Sequence, residues 1–322
     1  MTKAWIGRIA LTLTMLAAAT LASAQAALPR TIKIVVPFSA GGSNDVIARA
    51  LAVPLAARLG IPVVVENKAG AAGVVGSDAV AKSPRDGSVL LLTSSSFLTA
   101  AATQKEPPYD PLTAFAPVAM VGRGPMILVV SATTPYRSPA DVVAAARANP
   151  GVLNYGTAGV GSIAHLATEL LDDTAKVRMV HVAYKGAANA ATDLAAGQIQ
   201  VMISNYSTVA PLMKAGKIRG AGVTSAKPHP AFPDLPPIAT VAPGFSVEIW
   251  VGVFAPAGTP DALIARLNQE INAIAASPEL APVLEADGTL PEAIAPNVFA
   301  GRIKDELAQW KRIAADHKIV AE

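Results

Sequence analysis

The chain has 322 residues, 52% of them hydrophobic and only 15% charged, which excludes a disordered protein and leaves enough sequence for more than one core. Its formal charge of +3 is too near neutral to favour nucleic acid or an anionic membrane surface as a partner. Cysteine is absent, so thiolate metal sites, cysteine nucleophiles and disulfides are all ruled out.

Residues 1–24 read as a signal peptide. Lys3 and Arg8 make a positive start, Ile9 to Leu21 is an apolar run, and Ala22-Ser23-Ala24 supplies small residues for cleavage. Cleavage two residues later, after Ala26, fits equally well. The apolar run falls short of the ~20 residues a membrane span needs, and no later segment is longer, so the expectation is an exported, periplasmic protein.

From there β-rich runs alternate with helical periodicity. Strands are predicted at Ile32 to Pro37, Val63 to Glu66 and Val89 to Thr93, with helices at Asn44 to Leu59 and around Gly76 to Ala81. Pro54 inside the first helix predicts a kink there. The pattern resumes with strands at Ile127 to Ser131, Leu153 to Tyr155, Met179 to Ala183, Val201 to Ser204 and Ala221 to Thr224. Helices fall between them, from Pro139 to Ala148 and from Ser162 onward. Ser138-Pro139, Thr259-Pro260 and Ser277-Pro278 each have the form of a helix start. A last helix from Pro296 to Ala315 places Val298, Ile303, Leu307, Trp310 and Ile313 near one face. Apolar strands separated by helices predict an α/β fold with mostly parallel sheets flanked by helices. Gly122 to Pro125 and the proline-rich Pro228 to Pro243 suggest two crossings between lobes. Residues 28–125 plus 247–322 then form one lobe and 126–246 the other, with a closable cleft between them.

Two loops share a design. Phe38-Ser39-Ala40-Gly41-Gly42-Ser43-Asn44 and Thr157-Ala158-Gly159-Val160-Gly161-Ser162 each lead from a strand into a helix. Glycine lets such a turn direct its amides outward, and a helix start offers unpaired N–H groups and about half a positive charge. Two such turns, one per lobe, can bind an anion without arginine. Four or five charge-assisted hydrogen bonds, each worth about 1.5–3 kcal/mol, offset ordering costs and leave micromolar affinity, about −8 kcal/mol. Neither loop has the spacing of a nucleotide site. Ser94-Ser95-Ser96 and Tyr184 stand at strand ends on the same edge, so Ser95, Ser96 and Tyr184 join the candidates. Ser162 and His165, three apart on one helix, form a possible nucleophile and base, but no GxSxG elbow accompanies them. His165, His181, His229 and His317 lack ligand spacing, so neither metal nor cofactor is expected.

The blocks PFSAGGSNDVIAR (37–49), VVVENKAGAAG (63–73), YDPLTAFAPV (109–118), NYGTAGVGSIAHLATEL (154–170), YKG (184–186) and WVGVFAPAGTP (250–260) together resemble the Bug family. These are the TctC-like periplasmic solute-binding proteins of tripartite tricarboxylate transporters. The resemblance implies a two-lobed periplasmic-binding-protein fold of type II that shuts like a Venus flytrap. It also implies a small organic acid as ligand, no catalysis, and delivery to a membrane permease of one large and one small subunit. Carried over by position, Phe38, Ser39, Ala40, Gly41, Gly42 and Asn44 match the first loop of the family. Thr157, Ala158, Gly159, Gly161 and Ser162 match the second, and Tyr184 and Asn205 match pocket positions. Lys68-Ala69, Ala183 and Ser204-Asn205 depart from the commoner residues. A neutral Asn205 disfavours an α-amino acid, whose ammonium wants a carboxylate. Two other functions share these features: a ligand sensor for a membrane receptor, and a periplasmic hydrolase using Ser162 and His165.

Overall fold

The computed structural model describes residues 28–38, 40–184 and 186–321; the expected signal peptide, and Ser39 of the first loop, lie outside them. The chain runs through β1 (Ile32–Val36), α1 (Ser43–Leu59), β2 (Val63–Asn67), α2 (Val74–Ala81), β3 (Val89–Ser94), α3 (Ser96–Thr103) and β4 (Phe115–Pro125). It continues with β5 (Ile127–Ser131), α4 (Pro139–Ala148), β6 (Asn154–Thr157), α5 (Ile163–Ala175), β7 (Val180–Ala183), α6 (Ala187–Ala195), β8 (Val201–Ser204), α7 (Tyr206–Lys214) and β9 (Ile218–Val223). It closes with β10 (Glu248–Pro256), α8 (Asp261–Ala275), α9 (Ala281–Glu285), β11 (Leu290–Pro291) and α10 (Pro296–Asp316).

Two sheets result, ordered β11-β4-β10-β3-β1-β2 and β7-β6-β8-β5-β9. The α/β, two-lobed class stands, but the sheets are mixed rather than mostly parallel. β1 pairs in parallel with β2 and β3, and β6 with β7 and β8. β10 is antiparallel to β3 and β4, as is β5 to β8 and β9. The cause is topological. Strands of βαβ units point their carboxyl ends at the cleft, whereas β5 and β10 each enter their sheet from that side and so run the other way.

Strand residues alternate between two faces. Ile34, Leu90 and Leu92 pack under α1 and α8, where Ile47, Leu51, Leu267 and Ile271 are buried. Val35 and Leu91 face the opposite way, into a core that includes Phe97 and Trp310 and continues into the second sheet through Leu128, Val130 and Tyr155. Ile127, Val129 and Met202 fill the far side beneath α6 and α7. One core therefore runs across both sheets. At the crossing, Pro125 lies opposite Glu248, Met126 and Thr224 bond through their backbones at 3.0 Å, and the Val247 amide donates to the Thr224 carbonyl at 2.9 Å.

Local detail agrees with the sequence pattern in part. Gly122 to Pro125, expected at a crossing between lobes, is the end of β4, and β5 of the second sheet begins at Ile127; the absent side chains admit the segment 288–290. Helix α1 is one helix that contains Pro54. Ser138 and Asp141 do form a reciprocal cap on α4. Ser277-Pro278 begins no helix, and the Thr259 hydroxyl turns back to the Pro256 carbonyl. On α10 the buried face holds Phe299, Ile303, Leu307, Trp310 and Ile313, while Val298 is exposed.

Candidate functional site

Helix starts converge between the sheets. A cavity of about 430 Å³ is lined from the first sheet by Phe38, Ala40, Gly42, Ser43 and Asn44 around the start of α1, and by Ser94 and Ser96 at the start of α3. From the second sheet it takes Ala187 at the start of α6 and Asn205 ahead of α7. A smaller cavity of about 180 Å³ shares Ser96, Ala187 and Asn205 with it and reaches Ala158, Ser162, Ile163 and Ala164 at the start of α5. Its remaining walls are Met126, Met202 and Ile203, which are apolar, together with Ser204 and Thr208. Five helices thus present their N-terminal ends to one space. Each contributes roughly half a positive charge. Among the described residues no Lys, Arg, Asp or Glu lines either cavity. Helix starts, hydroxyls and carboxamides are therefore the polar groups of these two cavities.

Asn205 shows how a side chain is released for this space. It occupies the cap position of α7 but makes no cap bond to the helix, and it lines both cavities. Asn44 reaches Ser94 across the first loop at 3.4 Å.

Not every residue singled out in the sequence faces the cleft. The Gly41 amide donates to the Asp45 carboxylate at 2.8 Å, and that buried carboxylate is paired with Arg49 at 3.0 Å. The Arg49 guanidinium, opposed by burial and helped by the Gly41 amide, holds the Asp45 carboxyl below its usual range. Ser95 is fully buried, because its hydroxyl accepts from the Trp250 amide at 3.1 Å; Ser96 takes the cleft position instead. Tyr184 turns its phenol to Asp193 at 2.8 Å, and burial with that carboxylate pushes its pKa up to about 12. In the second loop Thr157 is buried, its hydroxyl accepting from the Gly159 amide at 3.1 Å. The Gly161 amide donates to His165 Nδ1 at 3.2 Å and the Ser162 amide to the Gly159 carbonyl at 3.2 Å. What this loop offers the cleft is Ala158, the Ser162 side and the first turn of α5. The Ser162 hydroxyl caps α5 by accepting from the His165 amide at 3.3 Å, and His165 Nδ1 is taken by Gly161, so serine and imidazole are not joined as nucleophile and base.

The lining residues absent from the sequence-based candidates are chiefly Ser43, Ser94, Ile163, Ala164, Ala187 and Thr208. Their common signal is position: each lies at a strand end or within the first turn of a following helix.

Two α/β lobes facing each other across a cleft fed by helix starts are the architecture of a two-lobed solute-binding protein. The chain belongs to the tripartite tricarboxylate transporter family of receptors, whose family profile matches residues 47–319. It is similar to BugT of Bordetella pertussis, 37% identical over 290 residues that cover 89% of each protein. Among solved structures, an R. palustris protein with adipate superposes with a TM-score of 0.81 at 34% identity, covering 91% of this chain and 99% of that one. The periplasmic binding protein BugD superposes at 0.77 with 32% identity, covering 92% of this chain and 100% of its own. The family consists of solute-binding receptors. No helix among the described residues is long and apolar enough to cross a membrane.

Proposed function

We propose that this chain is a periplasmic receptor that captures a small organic carboxylate between two lobes and passes it, chemically unchanged, to a membrane permease of one large and one small subunit. The observation that carries this reading is the convergence of five helix starts on a cleft whose described lining holds no charged side chain. An anion is the one common solute class that such a lining favours without a counter-charge. Cleavage after Ala24 or Ala26 would release the chain to the periplasm. The lobes are residues 28–125 with 247–322, and residues 126–246. Amides at Gly42, Ser43, Asn44, Ile163 and Ala164 and the side chains of Ser96 and Asn205 grip the carboxylate; the methionine and isoleucine wall takes the hydrocarbon. A ligand touching both lobes stabilises only their closed arrangement, which is what a permease can recognise.

The test is calorimetric titration of dialysed protein with succinate, adipate and benzoate, each beside its methyl ester. Binding of acids with loss on esterification is expected. Esters that bind as tightly as acids would overturn the assignment.

A further inference from the structure

Beneath the second glycine loop lies a pair of imidazoles that the cleft itself does not use. The rings of His165 and His181 stack with centroids 3.7 Å apart and planes 17° from parallel. His165 accepts the Gly161 amide at Nδ1, 3.2 Å away. His181 Nε2 stands 2.6 Å from the Thr157 hydroxyl oxygen, and that oxygen accepts the Gly159 amide at 3.1 Å. Each ring thus fixes one glycine amide of the loop, His165 directly and His181 through a threonine. We propose that His165 and His181 are positioning residues that hold the second glycine loop in the shape that aims the start of α5 into the cleft.

The surroundings fit that role. Accepting at Nδ1 puts the proton of His165 on Nε2, which faces Glu169 at 3.7 Å. Glu169 is itself fixed by the Tyr155 hydroxyl and by His317 Nδ1 at 2.7 Å, the latter from the end of α10 in the other half of the molecule. Burial, and then the neighbouring His181 and His317, pull the His165 pKa down to about 3; burial pulls His181 to about 4. The rings stay neutral, as an acceptor for an amide must be. Gly159 and Gly161 have φ of +124° and +76°, one of several backbone shapes open to glycine, so the bonds to Thr157 and His165 select among them. With those two amides occupied by the scaffold, the next unpaired N–H groups are those of the first turn of α5, which lines the cleft.

This inference rests on the cleft being the binding site, and its test separates the two. His165→Phe keeps a stacked ring and removes the acceptor; His165→Asn returns an acceptor at the position of Nδ1. His181→Leu and His181→Gln are the corresponding pair, since a carboxamide can serve Thr157 as donor or acceptor. Adipate titrations should show the Phe and Leu variants binding about tenfold or more weakly, the loss of one hydrogen bond to the loop. The Asn and Gln variants should lie within about threefold of wild type. Amide hydrogen exchange at Gly159 and Gly161, measured without ligand, should accelerate in the Phe and Leu variants alone. Phe and Leu variants that bind and protect like wild type overturn the proposal, as do Asn and Gln variants that fail as badly as Phe and Leu. Wild-type protein that binds no acid sinks the reading of the cleft, and the exchange measurement still decides the role of the rings. Should a variant not fold, nitrogen chemical shifts of wild-type His165 decide the matter: a proton on Nδ1 refutes it.

Discussion

Replacing Gly161 with alanine probes two terms that the structure separates. Gly161 has φ of +76°, and a left-handed alanine costs roughly 1–2 kcal/mol wherever the lobes stand. A Cβ there would also lie 2.5 Å from Thr103 Oγ1, on α3 of the other half, and that hydroxyl is fixed by the Thr99 carbonyl at 2.8 Å. Such overpacking costs about 1–3 kcal/mol, and on the proposed closure it applies only while the halves are together. Gly161→Ala should therefore lower the melting temperature through the backbone term, by about 2–8 °C at the usual scale for chains of this size. It should weaken acid binding through the steric term, by roughly 5- to 150-fold. Adding Thr103→Ala should restore affinity and leave the melting temperature low. Calorimetric titration and scanning calorimetry on the single and double variants measure both. Affinity unchanged in Gly161→Ala, or not recovered in the double variant, would refute the reasoning.

Asn205→Asp should separate stability from binding. A carboxylate ahead of α7 favours the helix by about 0.3–1 kcal/mol, yet in the cleft it repels the ligand by up to about 4 kcal/mol at a separation near 4 Å. Unfolding scans should show equal or higher stability while titration shows at least about tenfold weaker acid binding. His317 sets a pH dependence. Burial opposes its charge, but its hydrogen bond to Asp173 and the charges of Glu169 and Asp173 outweigh that and raise its pKa above the ordinary 6.5. The stability it adds is full below pH 6.5 and is lost as pH rises through its folded value, so the deficit of His317→Gln, about 1 kcal/mol or less for a partly exposed pair, should be present at pH ~6 and absent at pH ~9 in thermal scans. Salt offers a last check. Because helix starts rather than exposed ionic groups line the two cavities, raising NaCl from about 0.05 to 0.5 M should change the acid Kd less than about threefold.

Much of this architecture was legible because local rules and tertiary structure agree. Ile127–Ser131, Pro139–Ala148 and Val201–Ser204 have the same limits in the sequence pattern and in the folded chain. Of the strands that went unread, β4 and β10 contain Gly122, Gly124 and Gly252, which locally argue against a strand, and β11 has only two residues. The reason for these glycines lies far along the chain. The segment 288–290 presses on Gly122 and Gly124, and the Phe299 ring would meet a Cβ on Gly252 at 2.6 Å. At the candidate site the glycine turns and helix starts were visible as residue types. The occupation of particular amides was not, since Asp45 takes Gly41 and His165 takes Gly161 only once the helices form. Adjacent Ser95 and Ser96 differ for the same reason: the partner of Ser95 is the amide of Trp250.

The paired strands at the crossing carry one more implication. Met126 and Val247 are both tied to Thr224, and Pro125 lies opposite Glu248, so two ribbons leave the first sheet laced side by side. Such a pair bends readily across its width, whereas shear or torsion would tear its lacing. On the proposed reading of the cleft, closure would follow a single arc set by these two ribbons, and an acid one carbon too long would hold the lobes short of its end.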